Sequence, residues 1–301
     1  MAYKFKKIGI IGRASRHTKP NGPNISSTLD SLCGFLATHK LSALIDSETA
    51  SLMAKPKFPV VSRTQIGEEC DLAIVVGGDG SILNAARTLA DYNISVTGVH
   101  RGRLGFLTDI APDNISEKLI KILSGEYVRH ELCLLHANII NNGKVKTTID
   151  AINEIVVNSG SVTRMIEFEV YIDDQFVYSQ RSDGLIITTP TGSTAYSLSG
   201  GGPILTPDIK ALLLVPMFPH NLTSRPIVIP DKSRIKIVPI TESLNPGVSG
   251  DGQAIEQLTE NDTVEIYKSN KVLHLLHPSD YNYYETLRSK LHWGTKPGYS
   301  E

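Results

Sequence analysis

The chain reads as α/β plus all-β: an N-terminal doubly wound parallel sheet, then a β-sandwich-like domain, with a C-terminal helix returning to the first domain. Three observations carry this expectation. Up to Glu126, apolar strand-like runs alternate with segments of helical periodicity, the pattern of a parallel sheet covered on both faces. From Leu132 to Leu276 strand-like runs follow one another, separated by turns such as Asn142-Gly143 and Asp173-Asp174. Beyond Tyr281 the pattern is helical again as far as Leu291. The boundaries fall at 1–129 for the α/β domain, 130–279 for the β-rich domain, and 280–301 for a helical tail packing on the first domain.

In order, Lys7 to Gly12 is a strand, and Ile25, Leu29, Leu32 and Leu36 recur at helical spacing. Strands follow at Leu41 to Ile45, Asp71 to Val76 and Ile94 to Val99. Ile115 to Leu123 is an amphipathic helix, with Asp113 or Asn114 available as its cap. The second part offers strands at Leu132 to Asn141, Lys144 to Ala151, Ile166 to Ile172, Phe176 to Gln180 and Gly184 to Thr189. Later come Ala211 to Val215, Ile227 to Ile229, Ile235 to Ile240, Val264 to Ile266 and Val272 to Leu276.

The 301 residues suffice for two domains of ordinary size, and 41% hydrophobic content suits a buried core. A net charge of −1 gives no footprint for nucleic acid. No apolar run approaches the ~18 residues of a membrane span. Cys33, Cys70 and Cys133 are odd in number and far apart. They fit neither a disulfide framework nor a zinc spacing, so a cytoplasmic location is expected.

The most informative stretch is Gly77-Gly78-Asp79-Gly80-Ser81. Leu72 to Val76 runs into it as a buried strand, and Ile82 to Arg87 leaves it as a helix. Such a turn brings backbone N–H groups close to phosphates and presents one carboxylate to a reacting hydroxyl. A plain tight turn is the alternative, since Asp-Gly is common in turns. It is neither a Walker A loop nor the dinucleotide fingerprint. Gly9-Ile10-Ile11-Gly12 misses that fingerprint too and reads as the turn after the first strand.

A second block runs from Arg181-Ser182-Asp183-Gly184 through Thr188 to Pro203, crowded with hydroxyls and glycines around Tyr196. It reads as a surface for hydrogen bonding a base, an amide or a ribose, or else as a loop with ordinary capping bonds. Asn153-Glu154 interrupts an apolar run, where burial is costly unless satisfied. Ser249-Gly250-Asp251-Gly252-Gln253 reads as a hairpin turn, with Gln253 a secondary candidate. His274 and His277 would face opposite sides of a strand, which speaks against a metal pair.

These motifs, in this order, resemble the bacterial NAD kinases, and the proteobacterial branch most. Arg101-Gly102, Leu104 to Asp109, Ser224-Arg225-Pro226 and the tail Tyr281 to Trp293 extend the resemblance over nearly the whole chain from Lys7. The glycine turn alone is shared with lipid kinases and phosphofructokinases. The Asn-Glu pair and Thr191 to Tyr196 make the likeness specific. The resemblance implies ATP-dependent phosphorylation of the adenosine ribose 2′-hydroxyl of NAD, giving NADP. It makes Asp79 the proton acceptor and sets Gly80 against the dinucleotide. Asn153, Glu154, Arg164, Arg181, Asp183, Thr194, Ala195, Tyr196, Ser197, Leu198, Ser199 and Gln253 match NAD contacts. Gly77, Gly78 and Arg101 are candidates for the ATP phosphates. The resemblance also implies a divalent metal, Mg²⁺, and a homodimer or homotetramer. Two departures stand out: His100, and Arg103, occupy positions where the family commonly has asparagine.

Overall fold

The computed structural model describes residues 3–12, 25–102, 104–160, 165–240, 246–259 and 261–294. The chain forms two compact units, Met1–Glu131 with Leu273–Glu301, and Leu132–Val272.

In the first unit β1 (Lys7–Gly12), α1 (Ile25–Thr38), β2 (Ser42–Asp46), the short α2 (Ser47–Ala50), β3 (Val60–Val61), α3 (Arg63–Glu69), β4 (Leu72–Val76), α4 (Asp79–Leu89), β5 (Ser95–Val99) and α5 (Ile115–Ser124) follow in sequence. The strands lie in the order β3-β2-β1-β4-β5, all parallel. The order reverses between β1 and β4, the switch point at which open α/β sheets form ligand crevices. Every residue of β4 is buried, which explains its unbroken apolar run: a central parallel strand is covered on both faces. Ile8 and Ile10 of β1, Ile74 and Val76 of β4 and Leu29, Leu32 and Leu36 of α1 share one core.

Two details depart from the sequence reading. Gly9 and Gly12 lie inside β1, not in a turn after it. A Cβ on Gly9 would stand 2.3 Å from Ile66 Cγ2, so the glycine lets α3 lie close against the sheet. Asn114 is the N-cap of α5, but its side chain makes no capping bond. The segment Pro112–Asn114 leads in as a 3₁₀ turn instead.

The second unit is built from β6 (Tyr127–Asn141) from Leu132 onward, β7 (Lys144–Ala151), β8 (Glu154–Asn158), β9 (Ile166–Ile172), β10 (Gln175–Ser182), β11 (Gly184–Thr188), α6 (Tyr196–Ser199), β12 (Ala211–Met217), β13 (Ile227–Pro230), β14 (Ile235–Pro239), β15 (Gly247–Gly250), β16 (Ala254–Gln257) and β17 (Asp262–Pro278) as far as Val272. One sheet holds β10-β9-β14-β17 with β6 and β7. The other holds β13-β12-β11-β8-β15-β16, antiparallel throughout. Phe168, Ile237 and Ile266 of the first meet Ile155, Val157, Leu185, Ile187, Leu212 and Leu214 of the second in one core. The intervening Val156, Ile186, Leu213 and Val215 pack on the opposite face with Leu205. Both faces of β8 and β11 are thus buried, and the segment leading to Leu205 helps to cover the outer one.

Val264 to Ile266 and Val272 to Leu276 are parts of one strand, β17, which starts in the second unit and ends in the first. Its end pairs parallel with β5 through His274 and Leu275. Then α7 (Tyr283–Leu291) returns to the first unit, with Asn282 capping it by accepting from Tyr284 N and Glu285 N.

Candidate active site

Asp79 is the first residue of α4, directly after the β4 end and its glycines. An acid is favourable there because helix N-termini carry positive potential. Gly77 makes a tight floor: a Cβ on it would meet Ser81 Oγ at 2.1 Å. Gly78 and Gly80 are exposed and a Cβ on either would meet nothing within 4 Å. Gly78, as N-cap, offers no side-chain cap; Ser81 N donates to Gly78 O at 2.8 Å, so the Asp79 and Gly80 N–H groups are the ones placed to meet an anion.

The Asp79 carboxylate is held by the loop that follows β5. Its Oδ2 accepts from Phe106 N at 2.9 Å, and its Oδ1 from Leu107 N at 3.0 Å and Thr108 Oγ1 at 3.2 Å. The loop is itself fastened to β5. Ile110 N donates to Gly98 O and His100 N to Ile110 O, and a Cβ on Gly98 would stand 2.7 Å from Thr108 Cγ2. Next along, Asp109 Oδ2 bonds His277 Nδ1 at 2.8 Å, and the His277 ring stacks on Tyr281 at 3.9 Å. His100 is buried close by. Burial lowers its pKa, against the raising effects of Asp109, a bond with the Gly102 backbone, and Asp79.

In the second unit Glu154 begins β8, buried, with its Oε2 lacking a hydrogen-bond partner. Its pKa is pushed up to about 7, first by burial and then by the charge of Asp251, while a bond from Tyr196 N–H works the other way. Asn153, half-buried, precedes it. The Asn153 carbonyl accepts from Thr188 Oγ1 at 2.8 Å and Thr189 N at 2.9 Å, and the Ile152 carbonyl from Thr189 Oγ1 at 2.6 Å. Gly192 closes over this turn, where a Cβ would stand 2.3 Å from Asn153 O.

Family models match both parts of the chain: the ATP-NAD kinase N-terminal domain over residues 30–127 and the C-terminal domain over residues 152–277. Curated proteins named NAD kinase from Teredinibacter turnerae and Chromohalobacter salexigens are each 48% identical to it, over 98% of this chain and 99% of their own. The chain belongs to the ATP-NAD kinase family. Among solved structures, yeast NADH kinase complexed with NADH superposes with a TM-score of 0.86 at 21% identity, over 98% of this chain and 90% of that one. An NAD kinase from Archaeoglobus fulgidus in complex with ATP gives 0.72 at 22% identity, over 95% and 98%. These two show the fold.

Within this kinase, Gly77, Gly78, Asp79, Gly80 and Arg101 all belong to the first unit. In the second, the Tyr196 backbone bonds the Glu154 carboxylate, and Thr188 and Thr189 bond the Asn153 carbonyl. Thr194, Ala195 and Leu198 are half-buried, and Tyr196 and Ser199 exposed, along the 3₁₀ turn Thr191–Thr194 and α6. Ser197 is buried, its hydroxyl bonded to Gly192 O at 3.3 Å. Arg181 stands exposed near the end of β10, in the other sheet from Glu154. Asp183 lies in the step from β10 to β11. Gln253 is exposed in the β15–β16 turn. Arg164 and Arg103 lie outside the described residues.

His274 and His277 take separate partners, Arg129 and Asp109. Among the described residues no cluster of three or more His, Cys, Asp or Glu could hold a metal, and no helix is long and apolar enough to cross a membrane. From the sequence Asp251 reads only as part of a hairpin turn, and nothing there connects Asp109 with His277. Their partners are distant in the chain, and no local pattern marks them.

Proposed function

We propose that the chain transfers the γ-phosphoryl group of ATP to the 2′-hydroxyl of the adenosine ribose of NAD, with Asp79 receiving that hydroxyl. Family membership makes it an ATP-dependent NAD kinase, a phosphotransferase. The observation that carries the assignment of Asp79 is its fixed carboxylate at an open helix N-terminus. A carboxylate offers about four acceptor positions. Three are taken by Phe106, Leu107 and Thr108, which leaves one, on Oδ2. That position suits a single hydroxyl. Phosphoryl transfer depends chiefly on positioning and charge stabilisation. Asp79 therefore orients the hydroxyl first and takes its proton as the new P–O bond forms. The Asp79 and Gly80 N–H groups at the start of α4, with Gly78 and Arg101, receive phosphate oxygens; Gly77 N already donates to Val99 O at 2.9 Å, so Gly77 shapes the turn and is not a phosphate donor.

Magnesium commonly binds through one or two carboxylates plus phosphates and waters. The single open position of Asp79 is taken by the hydroxyl, so the donor set here fits an ion carried in on ATP and held by phosphate oxygens and waters. When bound, the metal neutralises charge on the transferring phosphates. In the second unit, Asn153, Glu154, Asp183, Thr194 to Ser199 and Gln253 contact NAD, together with Arg164 and Arg181. Glu154 Oε2, buried and without a protein partner, is suited to a ligand hydroxyl.

Purified protein with NAD, ATP and Mg²⁺ should yield NADP, read through an NADP-specific dehydrogenase. Asp79→Asn should lower kcat by roughly a hundredfold or more with its circular dichroism unchanged. Unaltered turnover in that variant would remove Asp79 from the mechanism.

The protein also fits a cytoplasmic homo-oligomer. Cys33, Cys70 and Cys133 are free thiols. Phe218 and Leu222, 76% and 89% exposed, with Ile227 and Val228 nearby in the chain, offer apolar surface for a second copy. Sedimentation as a monomer at micromolar concentration would overturn the oligomer.

A further inference from the structure

We propose that Asp251 is a positioning residue of the acceptor site: its carboxylate gathers the N–H groups of three consecutive residues and so fixes the backbone that presents Asn153 and Glu154. The proposal rests on the reading of Asn153 and Glu154 as NAD contacts.

Asp251 and Gly252 occupy the tip of the β15–β16 hairpin with φ of 49° and 65°, and Gln253 N closes the turn onto Gly250 O at 3.0 Å. Two successive left-handed residues suit a primed hairpin turn, where Asn-Gly and Asp-Gly are both favoured. Turn geometry alone therefore does not require an acid. The side chain supplies the reason. Its Oδ1 accepts from Asn153 N at 2.8 Å and Glu154 N at 3.2 Å, and its Oδ2 from Ile152 N at 3.0 Å. Asp251 N in turn donates to Glu154 O at 3.0 Å. Backbone N–H groups that gather on one ionised carboxylate make strong, charge-assisted bonds. Thr188 and Thr189 hold the same segment by its carbonyls, so both polar edges of residues 152–154 are fixed.

The same carboxylate acts on Glu154 through its charge, keeping the proton on it to higher pH. Asp251 thereby fixes where Glu154 stands and adds to the larger effect of burial on when it ionises. Asp251→Asn separates the two effects. Its amide oxygen can replace Oδ1, but the NH₂ group cannot accept from Ile152, and the charge is gone.

The test is steady-state kinetics for NAD and ATP from roughly pH 5.5 to 9 on Asp251→Asn, Asp251→Ala and Asn153→Ala, each checked for folding by circular dichroism. Asp251→Ala should raise KM for NAD about tenfold or more and leave KM for ATP within about twofold. Asp251→Asn should raise it less, and should move the inflection in KM for NAD from near 7 to lower pH. A purely structural turn residue would not produce that shift. Should Asp251→Ala fail to fold, the near-isosteric Asn variant decides. An unchanged NAD KM and inflection in Asp251→Asn, with Asn153→Ala impaired, would overturn the role of Asp251 alone. An unimpaired Asn153→Ala would overturn the underlying NAD contact, and the inference with it.

Discussion

Gly105 and Asp79 are so close that a Cβ on Gly105 would stand 2.0 Å from Asp79 Oδ1 and 2.4 Å from Thr108 Oγ1. Gly105 has no positive φ, so space and not backbone freedom calls for glycine. A methyl group there must push the carboxylate off the Phe106–Leu107–Thr108 donors or open the loop. Gly105→Ala should therefore cut kcat by about tenfold to a hundredfold, with NAD binding by calorimetry little changed. A variant with kcat within twofold of the parent (about 0.4 kcal/mol) would show that the clamp on Asp79 has no part in catalysis.

Much of this site could be read in the chain because its signals are local. The β4–α4 turn announces itself through an apolar run, adjacent glycines and one acid. The doubly buried β8 and β11 appear as runs such as Ile155-Val156-Val157 and Leu185-Ile186-Ile187. The hydroxyl-rich block was harder to interpret. Thr188, Thr189, Ser193 and Ser197 are buried and bonded internally, so much of that polarity fastens the block to the sheet. Long-range pairings left no mark. Asp251 lies 98 residues from Asn153, and Asp109 168 residues from His277. The long strand β17 reads as two short ones in the sequence, because Lys268 to Lys271 interrupts its apolar pattern while its backbone runs on.

Asp109 and His277 form the buried joint between the Asp79-holding loop and the end of β17, with side chains 8% and 1% exposed. His130 and Tyr281 stand around the His277 ring. Removing one partner leaves a buried polar atom of the other without its hydrogen bond, a loss on the order of 1–3 kcal/mol. His277→Ala should unfold at lower denaturant by that amount and lose kcat as the loop loosens. Asp109→Asn keeps a hydrogen-bonding side chain and should lose less of both. Equal stability of His277→Ala and the parent in urea melts would rule out this joint as a support of the loop.

Glu154 links the acceptor site to pH. Its carboxyl has a folded pKa of about 7 against an ordinary value of 4.5, raised first by burial and then by Asp251. Between those values the folded protein keeps a proton that the unfolded chain has released, so stability falls as pH rises. The loss is complete once the folded group ionises, above about 7, and amounts to roughly 3 kcal/mol. Glu154→Gln cannot ionise and escapes that loss. Without NAD, it should match the parent near pH 4.5 and exceed it in urea stability above pH 8 by up to ~3 kcal/mol. The same variant should bind NAD less tightly at high pH, where the parent presents a carboxylate and the amide does not. Parallel stability profiles for the two proteins across this range would mean that Glu154 ionises in the fold as it does in the unfolded chain.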